Sequence, residues 1–200
     1  IHLDKLDWES LSANPNAIHL LEKNIDEIYW SALSWNKNAI HLLEQKLKEQ
    51  KLKENIEDIV HRTGHNILRA ISGMPMPRST TISWWNLSGN TNAIHLLEKY
   101  PKEIHWDELS KNLNAISLLE QNHDKIIWYI LSINPNAISL LEKNPDKVDW
   151  QWLSGNPNAI HLLEKNIDKI CWKALSINPN AIHLLEQNQD KICWFKLCNN

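Results

Sequence analysis

NPNAISLLEKNPDKVDW, residues 134–150, is followed by NPNAIHLLEKNIDKICW, residues 156–172. One phrase thus returns after 22 residues, and it fills most of a 200-residue chain. Tryptophan marks the beat. Trp8, Trp30, Trp84, Trp106, Trp128, Trp150, Trp172 and Trp194 lie 22 residues apart, except for one step of 54. With each tryptophan as position 1, the unit reads W-x-x-L-S-x-N-x-N-A-I-x-L-L-E-x-N. Leucine holds position 4 from Leu11 to Leu197, and Ala-Ile holds positions 10 and 11 from Ala17-Ile18 to Ala181-Ile182. Such self-similarity belongs to units that cannot bury an apolar face alone and must stack on their neighbours.

Ala-Ile-x-Leu-Leu places four apolar side chains on one helical face about 160° wide, with position 12 pointing away from it. Asn at position 7 reads as an N-cap. The proline that follows it in four units (Pro15, Pro135, Pro157, Pro179) costs no hydrogen bond in a first helical turn. Asn at position 17 (Asn24, Asn122, Asn144, Asn166, Asn188) suits the stop, through its tolerance of left-handed geometry. These signals predict one short helix over positions 8–16. In the other half, as in DKVDWQWLS at 146–154, apolar residues recur at intervals of two and three, which fits a short α or 3-10 turn. The tryptophan and leucine there are expected to bury against adjoining units. Helices this short are marginal alone, so stacking must supply their stability. The expected fold is all-α, a single domain over residues 1–200 built as a right-handed solenoid of about seven two-helix repeats.

The 54-residue step marks an insertion of 32 residues beyond the repeat, over approximately 45–81 and between the second and third units. Leu47, Leu52, Ile56, Ile59 and Val60 give a loose helical stripe with Glu and Lys interleaved. Gly64 is expected to end that helix, HNILRAIS to form a second, and Gly73 with MPMP to form a loop. The expected shape is an outward helical hairpin. Long insertions in compact folds are often functional, which makes it a candidate docking element.

Composition narrows the classes of function. A net charge of −3 offers no global field for nucleic acid or anionic membrane. The longest apolar run, IIWYIL at 126–131, is far below the roughly 20 residues a bilayer span needs. Cys171, Cys193 and Cys198 make no disulfide framework, and no charged-then-apolar leader opens the sequence. An intracellular setting is therefore expected. No nucleophile elbow, phosphate-binding glycine loop or CxxC pair appears, so neither catalysis nor a cofactor is expected.

Histidine is the strongest candidate for a metal site, and it fails on spacing. His19, His41, His95, His161 and His183 all fall at position 12, but Ser117 and Ser139 interrupt the column. Units stacked a helix diameter apart cannot bring imidazoles to about 2.0–2.1 Å from one ion. An exposed polar stripe is expected instead. His61 and His65 in the insertion have no carboxylate or cysteine to complete a zinc pattern. Glu at position 15 recurs in every complete unit, which marks it as structural or surface, since a catalytic residue is needed only once.

Positions 2, 3 and 6 vary most. Trp35, Trp85, Tyr129, Ile130, Ile133, Trp152 and Ile177 stand where other units carry Ser, Asp, Lys or Gly. If exposed they form an apolar patch, and such patches mark partner sites. A protein partner is expected there, with Trp35, Trp85, Tyr129, Ile130, Trp152 and Ile177 as its contacts; no nucleic acid or membrane partner is expected.

The phrase W-x-x-L-S-x-N-P-N-A-I-x-L-L-E-K-N, over about residues 4–44 and 80–200, resembles a tandem repeat of uncharacterised proteins from giant DNA viruses of amoebae. The resemblance implies a viral origin and a place in host cytoplasm or virion, and it carries no activity. The repeat pattern and its variable positions leave two expectations, a non-catalytic scaffold that binds a protein and, alternatively, a structural component of a viral particle that stacks end to end.

Overall fold

Each Ala-Ile-x-Leu-Leu segment forms a helix that starts at its isoleucine, three residues later than the proline signal implies. The computed structural model describes residues 5–63 and 81–198, the side chains of 55–63 excepted. All regular structure among them is helical, in a periodic pattern and without strands. The chain divides into two compact units, Ile1–Ile104 and His105–Asn200.

The first unit contains α1 (Trp8–Ala13), α2 (Ile18–Lys23), α3 (Trp30–Leu33), α4 (Ile40–Thr63), α5 (Trp84–Gly89) and α6 (Ile94–Lys99). The second contains α7 (Trp106–Lys111), α8 (Ile116–Gln121), α9 (Trp128–Leu131), α10 (Ile138–Glu142) and α11 (Trp150–Ser154). It continues with α12 (Ile160–Glu164), α13 (Trp172–Leu175), α14 (Ile182–Gln187) and α15 (Trp194–Leu197). Single 3-10 turns such as Ile25–Glu27 and Ile167–Lys169 precede several Trp-led helices. Two extended residues separate turn from helix, as at Ile28 (ψ 128°) and Tyr29 (ψ 93°). The second half of the unit is thus two pieces, where a single short turn was expected.

Asparagine explains the shifted boundary. At position 7 its side-chain oxygen accepts from the N–H two residues on, as in Asn134 with Asn136 (3.0 Å) and Asn156 with Asn158 (3.0 Å). This Asx turn precedes the helix rather than capping it, and proline fits its second place. The helix then opens at position 11 with alanine as its cap residue. Asn at position 17 does stop the helix, but not in left-handed geometry: φ is −126° at Asn122 and −137° at Asn166. Its side-chain amide instead donates to the carbonyl four residues back, Asn122 to Leu118 at 2.9 Å and Asn166 to Leu162 at 2.9 Å.

Within each unit, the same position-7 asparagines tie a segment to the one before. In the first unit, the Asn36 amide donates to the carbonyls of Ser12 and Asn14, both at 2.9 Å, and Asn90 reaches Ser34 and Asn36. In the second, Asn134 reaches Ser110 and Asn112, Asn156 reaches Ser132 and Asn134, and Asn178 reaches Ser154 and Asn156. All five of these asparagines are buried. Serine at position 5 adds a second tie. The Ser154 hydroxyl donates to the Trp150 carbonyl at 2.6 Å and accepts from the Cys171 N–H at 2.9 Å, and Ser132 does the same between Trp128 and Asp149. No buried side-chain polar atom among the described residues lacks a partner.

In each unit the core is built of leucines and alanines. Position 4 is fully buried from Leu33 to Leu175, and positions 13 and 14 are buried from Leu42 to Leu185. Consecutive Trp-led helices pack side by side, α1 on α3, α7 on α9 and α11 on α13. The indoles sit at the rim of this core. Trp8 and Trp30 are buried, but Trp84, Trp106, Trp128, Trp150 and Trp172 are only half-buried and Trp194 is exposed. Their faces are covered by residues of the following connection: Lys169 lies 4.7 Å over Trp150, Lys191 4.7 Å over Trp172, and Tyr100 packs on Trp84. Cation–π attraction suits a partly wet ring of this kind.

The start of the insertion differs from expectation. Rather than a new helix in a loop, α4 runs unbroken for 24 residues from the repeat segment at Ile40 to Thr63. Leu47 is buried, but Leu52 is exposed, so the apolar stripe does not continue along the helix. The expected second helix, HNILRAIS, lies outside the described residues.

Candidate partner-binding surface

Helices of four to six residues expose whatever their core-facing leucine does not claim. In each Trp-led helix, position 4 points inward, so positions 2 and 6 lie on the opposite side and position 3 at its margin, exposed at Trp152 and buried at Ile130 and Glu108. In the first unit this brings Trp35, on the turn after α3, against Trp85, the second residue of α5. Their ring centroids are 5.8 Å apart at 79°, an edge-to-face pair. Trp35 remains 41% exposed and Trp85 44% exposed. Two indoles held edge against face, each still well exposed, form a preorganised contact surface.

The second unit carries its own set. Tyr129, Ile133, Trp152 and Ile177 are all exposed, Trp152 at 44%. Ile130 is not among them. At 8% exposed it is a core residue, because position 3 of α9 turns toward the packed side, as Glu108 does in α7. Its outer atoms serve only as the floor of a hollow. Tyr129, Ile133, Pro135 and Trp152 form the walls of that hollow, about 530 Å³, with Lys111 at its edge. Across Trp152 lies another of about 500 Å³, bounded by Ile133, Gly155, Cys171, Ala174 and Ile177. Lys173 and Lys196 border the latter. Both lysines sit at variable positions of the repeat, so the rule that singled out the aromatics also marks them. They escaped it because a lone surface lysine reads as ordinary solvation.

The Lys111 ammonium pairs with Glu108, whose side chain is buried, and that hydrogen bond raises the lysine's pKa above its ordinary value. The pair's stabilisation is therefore present below the ordinary lysine pKa and lost as pH rises through the raised one.

The histidine column is exposed, and its partner is the glutamate of the preceding segment. His41 meets Glu22 at 2.9 Å, His95 meets Glu44 at 2.9 Å, His161 meets Glu142 at 2.7 Å and His183 meets Glu164 at 2.6 Å. Where Ser139 replaces histidine, Lys143 reaches Glu120 instead, at 3.4 Å. The recurring Glu at position 15 is thus an inter-segment latch. The hydrogen bond from His95 holds the Glu44 carboxyl below the usual glutamate range. Exposed pairs of this kind add little each to stability.

Among the described residues no group of three or more His, Cys, Asp or Glu is placed to hold a metal, and no helix is long and apolar enough to cross a membrane. The side chains of His61 and His65 lie outside the described set. Cys171, Cys193 and Cys198 are free thiols. No protein-family profile matches the chain, and no curated protein or solved structure matches it.

Proposed function

We propose that the chain is a non-catalytic scaffold, a right-handed solenoid of 22-residue two-helix repeats, that binds a protein partner through its Trp-led helices. One observation carries this reading: a frame of near-identical segments leaves large apolar side chains exposed at its variable positions, Trp35 and Trp85 in one unit and Tyr129, Trp152 and Ile177 in the other. Exposed aromatics are costly unless covered, and buried aromatics dominate binding energy at interfaces. Repeated segments with neighbour-only contacts suit such work, since the surface lengthens without a new core. The insertion, into which α4 runs, is a further docking element in this reading, and the viral setting implied by the sequence resemblance supplies host proteins as partners.

The test is cross-linking capture by the full chain, beside Trp35→Ser/Trp85→Ser and Trp152→Ser variants. We expect each variant to keep its circular dichroism and melting midpoint while losing specific cross-links. Capture that survives both substitutions would overturn the reading. So would filaments in light scattering that neither variant disturbs, which would mark a self-assembling component.

A further inference from the structure

We propose that the face of the second unit formed by α9, α11, α13 and α15 docks an acidic peptide segment bearing two apolar side chains, one in each hollow beside Trp152. This rests on the partner-binding reading above and adds the chemistry of the partner.

Shape gives the two anchors. The hollows beside Trp152 hold about 530 and 500 Å³, each with room for one large aliphatic or aromatic side chain, and their walls are mainly apolar. Trp152 rises between them as a ridge, so a segment crossing it places one anchor on either side. Adjacent helices stand about 10 Å apart, a distance spanned by three residues of extended chain or by seven of helix.

Charge gives the flanks. Lys173 and Lys196 border one hollow, and among the described residues no carboxylate pairs with either. No Asp or Glu lines either hollow, although the chain as a whole is acid-leaning at −3. Lys111 at the other hollow is already neutralised by Glu108. The cationic character therefore lies at one end of the face, and the carboxylates of a docked segment belong beside α13 and α15. Two lysines on an apolar groove make short-range charge pairs with a peptide; a nucleic-acid backbone would call for a longer basic track.

Gly155 offers a plug that leaves the fold intact. It lines the Ile177 hollow, its φ is −84°, and an added Cβ would meet only the Trp152 carbonyl oxygen, at an ordinary 3.6 Å. Trp35 occupies the equivalent place in the first unit, so a large side chain is accommodated there.

The experiment is a random twelve-residue peptide display library panned on the full chain, with Gly155→Tyr as the counter-selection. We expect enriched sequences to combine two large apolar residues with Asp or Glu toward one end. A fluorescein-labelled enriched peptide should then bind at least tenfold more weakly to Gly155→Tyr and to Lys173→Glu/Lys196→Glu. Panning on the charge-reversed variant should enrich Lys and Arg in place of Asp and Glu. Enrichment of neutral or basic peptides on the unmodified chain, dependent on Trp152, would overturn the acidic partner yet leave the partner-binding reading standing. No enrichment, or binding only to phosphatidylserine vesicles through the two lysines, would overturn this proposal, while the cross-linking test decides the broader reading separately.

Discussion

At the scale of the residue, two polar side chains hold the repeat together. Asn156 is buried, donates to the carbonyls of Ser132 (3.0 Å) and Asn134 (3.1 Å), and accepts from the N–H of Asn158 (3.0 Å). Leucine is its nearest apolar isostere and can make none of these bonds. Asn156→Leu should therefore destabilise the chain by about 3 kcal/mol, since each buried group left without a partner costs about 1–3 kcal/mol. Asn158 makes a comparable bond to Pro135, but in an exposed position. Asn158→Ala should cost only about 0.5–1 kcal/mol, because water replaces what is lost. Urea denaturation of the two variants side by side measures the difference, and equal losses would show that the buried contacts are not special. This pair also shows how far sequence reading reaches. The N-x-N recurrence is conspicuous, and local rules read its first asparagine as a helix cap. Its long-range role was invisible because it depends on which carbonyl stands 22 or 24 residues back in space, a fact of stacking and not of spacing.

At the scale of the element, what distinguishes α4 from its siblings is the absence of a stop. The other Ile-led helices end within five or six residues, at or just before position 17, which is Asn in all of them but α6, where Tyr100 is followed by Pro101; α4 carries Lys46 there and continues through Gln, Lys, Leu and Glu, all good helix formers. The composition announced a helix in the insertion, but its continuity with the repeat segment had to come from noticing that position 17 and the residue after it, Lys46 and Leu47, are neither asparagine nor proline. Element type was legible in the described repeats, while boundaries were not: the helices start at position 11, and the Trp-led half splits into a 3-10 turn and a helix. Ile130 shows the same limit in the binding face, since variability marked its position but not which side of α9 it occupies. The exposed stretch of α4 past Leu47 makes a clean test. Lys51→Pro removes a backbone donor and clashes with the preceding turn, at about 3 kcal/mol locally. We expect it to lower helical ellipticity while leaving the melting midpoint of the repeats in place. A fallen midpoint would mean that the extension is integral to the core.

At the scale of the whole molecule, repetition implies that a segment can be removed in register. Deleting residues 134–155 joins Ile133 to Asn156, so position 6 still precedes position 7 and every later tie meets an equivalent carbonyl. The shortened chain should fold cooperatively with unchanged ellipticity per residue, and melt at a lower temperature because one stacking interface is gone. Loss of the cooperative transition in a calorimetric scan would contradict modular stacking. The asparagine and serine ties end on main-chain atoms, which every amino acid supplies alike. The joints are therefore indifferent to which side chains a segment displays at its outward places. Binding specificity can drift, one surface substitution at a time, without any compensating change in the seam that holds neighbours in line.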